Sequence, residues 1–129
     1  MAEATIGIFT PEQEKYLAQV IDNLLNLKGI TGIIVGYALK IVIPMIDNKL
    51  IDKLSITIKN EIIAIVDALL ADQIQKAQKL TIDLVSKLNK YKPRDTNEVL
   101  FKGAAALVAG SFMNEIETKQ QIKINLIFK

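Results

Sequence analysis

"SITIKNEIIAIVDALLADQIQKAQKLTIDLVSKLNKY", residues 55–91, returns to an apolar residue every three to five positions. Ile58, Ile62, Ile65, Leu69, Ile74, Ala77, Leu80, Leu84 and Leu88 fall on one side of a 3.6-residue helix. That spacing makes the middle of the chain helical and gives it a face to bury. Asp72 with Lys76, and Asp83 with Lys87, stand four residues apart with the acid first, the favourable order on a helix. The "ADQIQKAQKL" section, 71–80, is thinner in large apolar residues and predicts a bend or a more exposed turn. "KYKPRD" then reads as a loop broken by Pro93.

Helix starts are legible on both sides of this segment. In "FTPEQEKYLAQVIDNLLNLKG", Thr10 can cap, Pro11 suits the first helical position, and Gln13 completes a capping box. Leu17, Val20, Ile21, Leu24 and Leu25 form its apolar stripe, and Gly29 is a C-terminal stop, so a helix is predicted over about 11–28. Asp95 and Glu98 form a second capping box, opening a helix to about Glu117.

"GITGIIVGYALKIVIPMI", residues 29–46, is apolar on both sides of a helical projection, as in a helix buried in protein or in lipid. Pro44 should kink or end it, because the carbonyl of Lys40 loses its partner. As a membrane span the stretch is marginal. Its nine Ile, Leu and Val residues favour insertion by roughly 4 kcal/mol, against about 2.5–3.5 kcal/mol for Lys40 near the centre.

Gly32 and Gly36 here, and Ala106 and Gly110 in "KGAAALVAGSFM" (102–113), put small residues four apart on one helix face. That spacing permits close helix contact, either between these two segments or with another molecule. At the chain ends the period changes to two. Ile122, Ile124, Leu126 and Phe128 alternate in "IKINLIFK", and Ile6 and Ile8 do so in "TIGIF", which is strand spacing. Such ends could pair with each other or add to a neighbouring subunit.

The expected fold is therefore all-α. It is one domain, 1–129, built as a compact bundle of four to five helices around an Ile/Leu/Ala core. Residues 1–9 and 120–129 are expected as short extended or strand-like arms.

Composition narrows function by subtraction. The chain has no His and no Cys, so it lacks an imidazole base, a thiol nucleophile and the commonest metal ligands. Ser55, Ser86 and Ser111 lie in no nucleophile elbow, and no glycine-rich phosphate loop occurs. Glu12 with Glu14, and Glu115 with Glu117, are two residues apart and point to different helix faces. Asp47 and Asp52 lack the glycine and terminal glutamate of a calcium loop. The net charge is +2 and Arg94 is the only arginine, a poor footprint for nucleic acid.

No enzyme activity, cofactor, metal or small-molecule substrate is expected. The N-terminus has no signal-peptide pattern, so the expected compartment is the cytoplasm. What remains is a structural or assembly protein whose partner is itself or another protein, in a setting such as a phage particle or similar shell. A membrane-active, holin-like protein is the second expectation, and an adaptor for a partner helix the third.

Overall fold

The computed structural model describes residues 9–27, 29, 38–48 and 52–127. Five α-helices occur among them: α1 (Pro11–Leu27), α2 (Ile43–Asn48), α3 (Lys53–Leu70), α4 (Ile74–Lys90) and α5 (Thr96–Ile127). A π-helical turn, Ala38–Val42, leads directly into α2. The bundle is all-α, with no strand among the described residues. Gly32 and Gly36, Ile6 and Ile8, and Phe128 lie outside the described residues.

α5 is the hub, packing against α1, α2, α3 and α4. Phe101, Ala105, Val108, Ala109, Phe112 and Ile116 recur along it at helical spacing and are buried. Leu17, Val20 and Ile21 of α1 join the same core, as do Val42, Ile43 and Ile46 around α2. α3 contributes Ile58, Ile62, Ile65, Val66 and Leu69; α4 contributes Ile74, Ala77, Leu84 and Leu88. Every residue of the predicted 55–91 stripe is thus buried except Leu80, which packs half-buried against the core.

That stripe belongs to two helices. α3 ends in a Schellman-type cap: the Gln73 N–H donates to the Ala68 carbonyl (2.8 Å) and the Asp72 N–H to that of Leu69 (3.1 Å). Asp72 supplies the left-handed residue this cap requires, with φ of +59°. Glycine is the usual occupant, but aspartate tolerates the conformation better than most residues. Asp72 therefore sits in the turn, ahead of α4, where Lys76 lies in the first helical turn. The chain reverses here, and α4 packs back on α3.

Side-chain caps fix the starts of α1, α3 and α5. Thr10 and Gln13 exchange hydrogen bonds: Gln13 N–H donates to Thr10 Oγ1 (3.1 Å) and Thr10 N–H to Gln13 Oε1 (2.9 Å). Asp52 and Ser55 form a second reciprocal box at α3. At α5 the box is displaced by one residue. Glu98 N–H donates to Asp95 Oδ1 (2.9 Å), but the Glu98 carboxylate accepts from the Arg94 N–H (2.8 Å). At the end of α1, Gly29 takes φ of +79° as its stop. Ahead of Pro44, the helix widens into the π turn, giving the proline ring room where an α-turn would clash with the Lys40 carbonyl.

The C-terminal alternation does not make a strand. α5 runs on past Glu117 to Ile127, so Ile122, Ile124 and Leu126 are helical residues. The physical reason is cooperativity: extending an existing helix adds one hydrogen bond per residue fixed, whereas an isolated strand gains none. At the other end Phe9, assigned to the N-terminal arm, is buried, and its N–H donates to Asp47 Oδ1 at 3.1 Å.

The α3–α4 turn makes a direct test. Asp72→Gly should keep stability within about 1 kcal/mol of the wild type, because glycine adopts positive φ without strain. Asp72→Val should lose about 1–2 kcal/mol, since a β-branched residue resists that conformation. Urea unfolding followed by circular dichroism separates the two.

Candidate functional site

The small-residue pair of α5 lies at the surface. Ala106 is exposed, and Gly110 is half-buried beside α1, where an added Cβ would stand 3.8 Å from the Leu24 side chain, an ordinary contact. A Cβ at Gly103 would meet nothing within 4 Å. Crowding within the chain therefore does not require glycine at either position.

The same face carries more than the pair. Val99, Gly103, Ala106, Gly110 and Met113 succeed one another at alternating steps of four and three, and none is buried. This is the 3.5-residue spacing of a helix-packing seam. Beside it α4 presents Val85 and Asn89, which with Leu88, Ala106, Ala109, Gly110 and Met113 line a groove of about 250 Å³. Ile82, one turn earlier on α4, is 57% exposed, and Val99 is 55% exposed. Sequence reasoning found Ala106 and Gly110 but missed Val99, Met113, Ile82 and Val85. α5 is apolar around most of its circumference, so periodicity alone did not say which side would face outward.

The charged side chains are arranged as clamps between helices. Glu61 of α3, nearly buried, and Asp83 of α4 both receive Lys87. Burial pushes the Glu61 carboxyl above the usual range while Lys87 pulls it back; the hydrogen bond from Lys87 holds Asp83 below it. Arg94 bonds Glu98 through Nε and Nη2 and reaches Asp52 at 3.3 Å, joining the start of α5 to the start of α3. Buried Lys59 donates to the Asp47 carbonyl (3.2 Å), tying α3 to α2. Desolvation lowers the Lys59 ammonium, and the Asp47 charge opposes the shift. The Tyr16 hydroxyl donates to Glu115 (3.1 Å), tying α1 to α5; burial and that carboxylate raise its pKa.

Chemically these groups hold helices together. Ser55 caps α3, and the Ser111 hydroxyl donates to the Leu107 carbonyl within α5. Among the described residues no three acidic side chains converge as a metal site would need. Comparison with known proteins returns no match: no family model, curated protein or solved structure is similar to the chain.

The Glu61–Lys87 contact predicts a pH-dependent loss. Lys87→Met leaves Glu61 nearly buried without its cation and should cost about 1–3 kcal/mol at neutral pH. A carboxyl raised in the folded state is penalised above its folded pKa, and the penalty disappears below its unfolded pKa. The difference between variant and wild type should therefore shrink as pH falls through the carboxylate range. Urea titrations of both proteins at neutral and at acidic pH measure it.

Proposed function

We propose that this chain is a non-enzymatic structural or assembly protein that works by docking helices. It self-associates, or seats in a larger complex, through the α4–α5 face. The observation that carries this reading is the unburied seam Val99–Gly103–Ala106–Gly110–Met113 with Ile82 and Val85 beside it. Small residues at helix-packing spacing let a second backbone come close, and the larger apolar residues at its margins supply area to bury. The clamps described above use Glu61, Lys87, Arg94, Glu98 and Lys59 to hold helices together, which favours a role built on surface over one built on reaction chemistry. A particle or shell component remains one setting for such a protein. Small size and missing catalytic side chains favour it, and the helical C-terminus takes away the strand-exchange argument.

Sedimentation velocity across a concentration series tests the reading. Association should appear by about 100 μM and be reduced by Ala106→Lys, which places a charge in the seam at an exposed position. The variant should unfold within about 0.5 kcal/mol of the wild type. A strictly monomeric wild type, with no stable complex formed, would remove the proposal.

One observation favours a second reading. The part of α5 from Thr96 to Ile122 is long and apolar enough to cross a membrane, and only 39% of its most apolar window is buried in the bundle. Under that reading the protein is membrane-active, with α5 as an inserting helix beside the 29–46 stretch expected from the sequence. Flotation with liposomes decides: co-flotation that persists in high salt supports insertion, and its absence at both low and high salt excludes it.

A further inference from the structure

We draw no further inference here: the strongest candidate, the apolar surface patch of Ile82, Val85, Val99 and Met113 around the groove between α4 and α5, belongs to the face already described, and nothing in the structure shows what covers it.

Discussion

The burial of one face of α5 is the constraint on which the rest of this molecule depends. Phe101, Ala105, Val108, Phe112 and Ile116 form a column along one helix, and the other four helices close around it. Phe101 and Phe112 are among the largest fully buried side chains, and Ala105 between them keeps the column narrow enough for neighbours to approach. The remaining helices then have their orientations set by which of their own stripes can reach this column. α3 and α4 meet it as a hairpin, α1 lies along it, and α2 covers it with Ile43 and Ile46.

Polar groups do their work at the edges of that core. The reciprocal bonds of Thr10 with Gln13 and of Asp52 with Ser55 satisfy helix N–H groups that would otherwise lack partners. The Arg94 cluster links two helix starts through Asp52, a residue 42 positions away in the chain. Such contacts add modestly to stability, but an error in pairing them leaves a buried charge unmatched. They therefore select one arrangement of helices over others of similar apolar burial. Tyr91 is the exception, a hydroxyl carried into the interior without a partner.

The α4–α5 face is apolar and small-residued, suited to another helix. Two of its residues were legible beforehand, because Ala106 and Gly110 carry a spacing that can be read in one dimension. Val99, Met113, Ile82 and Val85 were not, because α5 is apolar around most of its circumference and only the tertiary fold sets α4 beside it.

By itself the sequence determined the helical class, the start of α1 at Thr10 and Pro11, the start of α5 at Asp95, and the stripes that became the core. These are local matters, set by a 3.6-residue period and by side chains that bond backbone within three residues. It also determined the absence of histidine and cysteine chemistry. Tertiary structure decided that the 55–91 stripe folds into two helices, with Asp72 rather than glycine in the left-handed position. It decided that residues 122–127 continue a helix in spite of their alternation. It also decided which apolar side of α5 went inward. A helix apolar on both sides carries no preference of its own; the choice belongs to the neighbours that bury one side and leave the other for something else.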